Sequence, residues 1–571
     1  VYQLRSEGDA ARSKIDADSI RATLEQNLSL YKFLQQRKES RGDRVLTTEL
    51  AFPLFEKYLE FLSGEAEPML EKVFEVMELG KARLLTERLQ RAEVKRFAGI
   101  TDSILAREQS LETDLAKKRE ELEGLVKGEE TVDMARVDRE IDALKMEQKA
   151  FLEGLKQAHP AYYNMQYVHA PISIEEARAD LRKEEAMLSY FVGDSSVYML
   201  LLKQETGKFL RVPLDFPLRK WVEDIREAMY EHEEVASRSD EVVQAHAAKF
   251  CTAAYGIYDK LLASFVSDLP SKVRVIPDGV LSFIPFDVLL SEPPTQPLSF
   301  RQHAYLIHRF QFCYSLSATL HHQLSQTKSQ PAPNSTLVVA PTFSASTRFK
   351  HLRHNAEEAR NIQQAMGGEL LEGVAATAAA FRKKAADFRI LHIASHAKSD
   401  DQNGDSSYIA FSTSGSTSSD STTDFLYARD LYGIPLNADL VVLSACETAL
   451  GEWQTGEGIQ GLNRACMYAG AKSTVTSLWQ VDDTRSSGLM AEFYAGLRAG
   501  LSKDAALRDA KRAYLKSESP AHPYYWASFV QIGNAEPIDM PGNSKMMWWL
   551  LAGLAVPVVL LWRLRKGWFN A

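Results

Sequence analysis

From Ser19 to Leu62, and again from Pro68 to Leu89, apolar residues return every three or four positions, as in Leu24, Leu28, Tyr31 and Leu34 or Val73, Val76, Met77 and Leu84. That period places them on one face of a helix and predicts helix pairs. From Ile104 to Leu155 the composition turns to Glu, Lys, Arg and Leu. Apolar positions fall at Ile104, Leu111, Leu115 and Leu122, then at Val137, Ile141, Leu144, Phe151 and Leu155 after a break near Gly128. Such spacings fit a coiled-coil-like seam, and a turn over Gly128 to Thr131 makes it an antiparallel hairpin. Its charged face reads as solvated surface, with partner binding as the alternative.

The period changes near Val168. MLSYFVG and SVYMLLL read as paired strands around a Gly-Asp turn. Helical stretches follow over Leu218 to Glu231 and Ser239 to Leu262, then a buried strand, VRVIPDG. A Pro-containing linker, Ser329 to Ser335, leads to a further strand, TLVVAPT, and to helices over Asn355 to Met366 and within GVAATAAAFRKKA. Alternating helices and strands indicate an α/β sheet. Two short apolar runs, Ile390 to Ala394 and Ala438 to Leu443, have the character of parallel strands buried on both faces. Between them lies the low-complexity stretch SSYIAFSTSGSTSSDSTTDF, expected as a mobile surface insertion or a regulatory lid.

Chemistry follows each apolar run. His396 comes just after the first and Cys446 just after the second. The carboxyl ends of strands are where ligands bind in open α/β sheets. A thiol near pKa ~8.5 is mostly protonated at neutral pH and needs a base beside it to become the nucleophile. His392, inside the strand, reads as structural, Cys466 as buried in a helix, and Cys251 and Cys313 have no motif around them. A buried core thiol is the bland reading of any single cysteine, Cys446 included.

A net charge of −9 gives no basic face for nucleic acid. Four cysteines without ligand spacing argue against a zinc site and a disulfide scaffold. No cofactor is implied. Beyond HPYYWASFVQIG, a last strand, and the linker NAEPIDMPGNS, the stretch Met546 to Trp562 is uncharged and is followed by Arg563, Arg565 and Lys566. It predicts a single carboxy-terminal membrane anchor flanked by tryptophans, with the side of the membrane left open. No signal segment follows Val1, so the chain reads either as a fragment or as one whose leader has been removed.

HIASHA, LSACETALG, GEGIQGLNRACMYAGA, TSLWQVDD and HPYYWASFVQIG, with VIPDGVLSFIPFDVL upstream, resemble the CHAT domain, a caspase-like cysteine peptidase family related to separase. The resemblance implies that His396 and Cys446 form the catalytic dyad. Where the family usually has Gly after the histidine this chain has Ala397, which keeps the backbone N–H but tolerates positive φ less well. The oxyanion donors are then the backbone N–H groups of Ala397 and Cys446. The acidic residues of the motif region are Glu447, Glu457, Asp482 and Asp483. Asp482 is the candidate for a specificity pocket, and Asp483 reads better as a cap for a helix starting at Thr484. VFEVMELGKARLLTERL resembles the tetratricopeptide-like helices that commonly precede the domain, although no clean repeat of about 34 residues is present.

The expected architecture is multidomain. Residues 1–167 form an all-α, tetratricopeptide-like and hairpin region; 168–330 form a caspase-like α/β pseudo-protease subdomain; 331–535 form the CHAT protease domain. A linker (536–545), a transmembrane helix (546–562) and a basic tail (563–571) follow. The expected function is a membrane-anchored cysteine endopeptidase acting on a protein substrate and controlled by a regulator docked on its helices. The alternatives are a catalytically silent scaffold and a protease that cuts only itself.

Overall fold

The computed structural model describes residues 10–37, 41–81, parts of 107–122, 131–158, 171–326, 334–343, 352, 354–400, 403–412, 424–445, 451–454, 458–480, 483–517 and 520–540. Its strands, in chain order, are β1 (Glu185–Val192), β2 (Ser196–Leu202), β3 (Gly207–Pro213), β4 (Lys272–Ile276), β5 (Gln311–Tyr314), β6 (Asn334–Pro341), β7 (Glu369–Gly373), β8 (Phe388–Ala394), β9 (Ala397–Lys398), β10 (Tyr408–Phe411), β11 (Asp424–Tyr427), β12 (Leu440–Ser444), β13 (Glu452–Gln454), β14 (Gly458–Gln460), β15 (Ser473–Ser477) and β16 (Phe529–Gly533). Eleven of them make one sheet in the order β3-β2-β1-β4-β5-β16-β15-β12-β8-β6-β7.

Strands β1, β4, β5 and β16 run one way. Strands β15, β12, β8, β6 and β7 run the other. The reversal falls at the antiparallel β15–β16 pair. The carboxyl ends of the two parallel sets therefore lie on opposite rims of the sheet.

Alternation along the strands feeds two layers. Leu188 and Tyr190 of β1, Met199 of β2, Ile390 of β8 and Val442 of β12 point into one core, shared with the helices Leu218–Tyr230, Asp240–Leu261, Asn355–Met366, Asp483–Arg498 and Lys503–Lys516. On the other face, Leu391 and Ile393 of β8 and Val441 and Leu443 of β12 meet Phe381, Leu431 and Cys466 of the helices Ala378–Lys384, Ala428–Leu431 and Leu462–Tyr468. Cys466 is buried, as its helical spacing predicts.

The amino-terminal helices Ala10–Arg37, Arg41–Ser63 and Leu70–Leu79 cover that second face at the other half of the sheet. Leu28, Phe55, Tyr58, Leu62, Val73 and Met77 pack with Met187, Phe191, Tyr198 and Leu200. This explains why β1 and β2 are apolar at nearly every position. The helix Thr131–Ala158 packs Val137 and Ile141 against Leu115, with Leu122 and Leu144 at the margin. Ion pairs Arg107–Glu147, Lys118–Glu140 and Arg136–Glu121 run in opposite sequence directions, which makes the pair antiparallel.

One expectation is corrected. Among the described residues no helix is long and apolar enough to cross a membrane. Ala10–Arg37 and Thr131–Ala158 have the length, at 28 residues each, but are rich in charge, and a charge in hydrocarbon is costly. The stretch 546–562 lies outside the described residues. The fold is therefore a helical region followed by an α/β sheet, and the single-pass anchor is withdrawn from both architecture and localisation.

The low-complexity insertion also differs from expectation at its ends. Tyr408–Phe411 and Asp424–Tyr427 pair antiparallel, and β9 joins them in a three-stranded sheet. Ile409, Phe411 and Leu426 supply the reason, because they alternate into the core beneath. Residues 413–423 lie outside the described residues.

Candidate active site

The register of β8 and β12 sets the site. Parallel pairing runs from Ile390 with Leu440 to Ala394 with Ser444. Both strands thus end level, and in a parallel pair neighbouring backbones lie about 4.8 Å apart. His396 follows Ala394 by two positions, and position 446 follows Ser444 by the same number. Ala445 is buried and its carbonyl accepts from the Ser477 hydroxyl on β15. Cys446 itself lies outside the described residues, as do Glu447, Glu457 and Asp482.

His396 is partly buried between β8 and β9. Its backbone carbonyl accepts from Ala410 N at 2.9 Å, and the Ser395 hydroxyl donates to Ala410 O at 2.5 Å. The turn carrying the imidazole is hooked to β10 on both sides. Ala397 opens β9 opposite Ile409, in extended pairing. The imidazole lies 5.0 Å from the Phe343 ring, centre to centre, at 58°. The helix after β15 begins at Asp483, one residue earlier than expected.

His392 occupies the opposite face of β8 and is fully buried. Its Nδ1 lies 3.0 Å from the Tyr494 hydroxyl, and its Nε2 lies 3.0 Å from Glu358 Oε1, at ion-pair distance but off hydrogen-bond alignment. Burial pushes the Tyr494 phenol far above its usual range, so it stays protonated. His392 therefore ties β8 to two helices, which agrees with its structural reading.

Sequence reasoning missed a second juxtaposition of thiol and imidazole. Cys251, in mid-helix, has its Sγ 3.5 Å from His303 Nε2. The two are far apart in sequence and follow no strand, so no spacing signals them. The Nε2 that faces the thiol also lies 3.1 Å from Pro297 O, a carbonyl that can only accept. Burial pushes the Cys251 thiol up to about 12 and lowers His303. A neutral imidazole whose facing nitrogen is a donor does not take the thiol proton, and this pair is chemically silent.

Residues 253–534 match the CHAT domain. The family is one of caspase-like proteases, and this chain carries its domain over those residues, with helices ahead of it. Tetratricopeptide repeat protein 28 of Mus musculus is 35% identical over 118 residues, 21% of this chain and 5% of that protein. The Homo sapiens protein of the same name is 33% identical over the same length and shares. The match thus spans about one twentieth of these relatives. Among solved structures, two crystal structures of the Saccharomyces cerevisiae separase–securin complex, at 2.6 and 3.0 Å, align at 10% identity. Their TM-scores are 0.41 and 0.42, covering 92% and 93% of this chain and 49% of the solved ones.

Proposed function

We propose that the chain is a cysteine endopeptidase in which His396 and Cys446 form a dyad. The observation that carries the reading is the level ending of β8 and β12, Ala394 opposite Ser444, which puts the two positions at equal steps past neighbouring parallel strands. His396 takes the thiol proton, and Cys446 attacks the scissile carbonyl. The tetrahedral oxyanion is met by the backbone N–H groups of Cys446 and Ala397. His396 then protonates the leaving amine as the carbonyl re-forms, leaving an acyl-enzyme that water hydrolyses to the acid and free thiol. Asp482 is the carboxylate proposed for recognition of a basic residue before the cut. A protein regulator acting through the amino-terminal helices is the proposed control, supported by their place against β1 and β2.

Cleavage of a diverse peptide library by the full chain, beside Cys446→Ala and His396→Ala, tests the dyad. Parent cleavage should fall by about 10³-fold or more in either variant. A thiol-directed peptide probe should label Cys446 only when His396 is present. Cleavage that survives Cys446→Ala would sink the reading.

A further inference from the structure

The helix Leu218–Tyr230 buries Leu218, Val222, Ile225, Ala228 and Met229 in the core. Tyr230, its last residue, falls off that stripe and is 38% exposed. The ring is nevertheless held. The Arg226 guanidinium, one turn earlier, lies 5.5 Å from its centre and 5.0 Å from that of Phe283. The Tyr230 hydroxyl donates to Leu478 O at 2.9 Å. Leu478 N donates in turn to Ser528 O at 2.9 Å, and the Trp479 indole donates to Tyr524 O at 2.9 Å. A side chain from the first half of the sheet thus reaches the carboxyl end of β15, in the second.

That end adjoins the end that leads to the nucleophile. β15 and β12 pair in parallel, with Thr476 beside Leu443. Continuing the register sets Leu478 beside Ala445, and the Ser477 hydroxyl donates to the Ala445 carbonyl. One strand spacing of about 4.8 Å and one hydrogen bond therefore place the Tyr230 hydroxyl within roughly 8 Å of the backbone just ahead of position 446. The strand order β15-β12-β8 puts Tyr230 and His396 on opposite sides of that position. His396 protonates the leaving amine, so the leaving part of the peptide lies on its side and the acyl part lies towards β15.

We propose that Tyr230 is a specificity-determining residue, whose exposed ring walls a subsite for an apolar or aromatic side chain two or three residues before the cut. The inference rests on the His396–Cys446 dyad proposed above. An extended peptide advances about 3.3 Å per residue, so the distance to Tyr230 spans two or three of them. A tyrosine ring offers a broad apolar face and has few torsions to lose on contact. The half of the sheet that does not carry the dyad then completes the substrate site.

The test uses the full chain and thiol-directed peptide probes that vary one position at a time, from the first to the fourth before the reactive group. The rate of labelling at Cys446 is read by mass and divided by the rate with iodoacetamide. The parent should favour a large apolar or aromatic side chain over Gly at the second or third position by about tenfold or more. Tyr230→Ala should lose that preference and keep those at the other positions. Tyr230→Phe gives up the hydrogen bond but keeps the ring, so it should retain the preference that Ala loses. Tyr230→Trp should turn the preference towards smaller side chains, and it answers for the wall if Ala fails to fold. A preference at those positions that is the same in the parent, Ala and Trp chains overturns the inference and leaves the dyad standing. A fall that is uniform over all four positions and shared by Tyr230→Phe also overturns it, since Tyr230 would then be only a strut between the two halves. If Cys446 reacts with no peptide probe faster than with iodoacetamide, or reacts without His396, the dyad itself falls and takes the inference with it.

Discussion

A thiol near an imidazole is a nucleophile only where solvent and hydrogen bonding let the charged pair exist, and the molecule holds a negative case. Cys251 and His303 are within reach of each other, yet burial favours both neutral forms and the facing nitrogen lies against the Pro297 carbonyl. Cys313 and Cys466 are likewise buried, with thiols pushed up to about 12. Native alkylation with iodoacetamide at neutral pH, mapped by mass, should therefore leave Cys251, Cys313 and Cys466 unmodified while Cys446 reacts. In denaturant all four should react alike. Native labelling of Cys251 at a rate near that of Cys446 would contradict the account of its silence.

At the scale of elements, the amino-terminal helices are fastened to the sheet by polar groups that they bury. Glu78 accepts from Ala318 N at 3.1 Å and Thr319 N at 2.9 Å, and from the Thr319 hydroxyl at 2.8 Å. It satisfies the first turn of the helix Ala318–Gln326 from outside. Lys81 enters at the carboxyl ends of β1 and β4, donates to the Ser189 hydroxyl at 2.6 Å and feels the half-buried Asp278, whose carboxylate accepts from Val192 N at 2.7 Å. Burial lowers Lys81 and raises Asp278, each opposed by attraction to the other. Removing one partner strands the other's charge, whereas removing both does not. Urea unfolding should show Lys81→Met losing about 3 kcal/mol and the double variant with Asp278→Asn losing less than the single one. Additive losses would mean that the two do not interact.

Much of this was legible and some was not, for reasons of range. The helix Asn355–Met366 and the strands Phe388–Ala394 and Leu440–Ser444 follow from local period and apolar runs. Strand β3 was missed because only Phe209 of its seven positions is buried, and β5 because four residues carry little pattern. The pairing of Lys81 with Asp278 and of Cys251 with His303 depends on tertiary approach and leaves no mark at fixed spacing. The contacts of Asn355 with Pro341 and Ala394 likewise join residues well separated in the sequence.

At the scale of the molecule, the reversal at β15–β16 puts the rim bearing Lys81 opposite the rim bearing His396. Influence of the helices on the site must then pass through the sheet and its joint. That joint includes the segment before β16. His522 stacks on His232 at 4.0 Å, His232 Nε2 lies 3.1 Å from the Tyr525 hydroxyl, and Tyr524 donates to Glu233 at 3.0 Å. Around these rings stand Phe300, His303, His246 with Glu231, and Arg485, which lies over Tyr525. Burial lowers His232 to about 4, against the pull of Glu233, and holds His522 well below the usual histidine range. The fold thus keeps both rings neutral. A group with a depressed folded pKa binds its proton first in the unfolded chain, so the stability is present above the unfolded value of about 6.5 and is lost as pH falls from there towards 4. His232 is partly exposed, which trims its share. The melting temperature should be level from pH 8 to 7 and fall by pH 5, a loss on the order of 2 kcal/mol. His232→Phe keeps the stack without the titration and should flatten that slope, read by calorimetry over the same range. A slope unchanged in His232→Phe and in a matching His522→Phe would place the acid sensitivity elsewhere, in carboxylates rather than at the joint between the two halves.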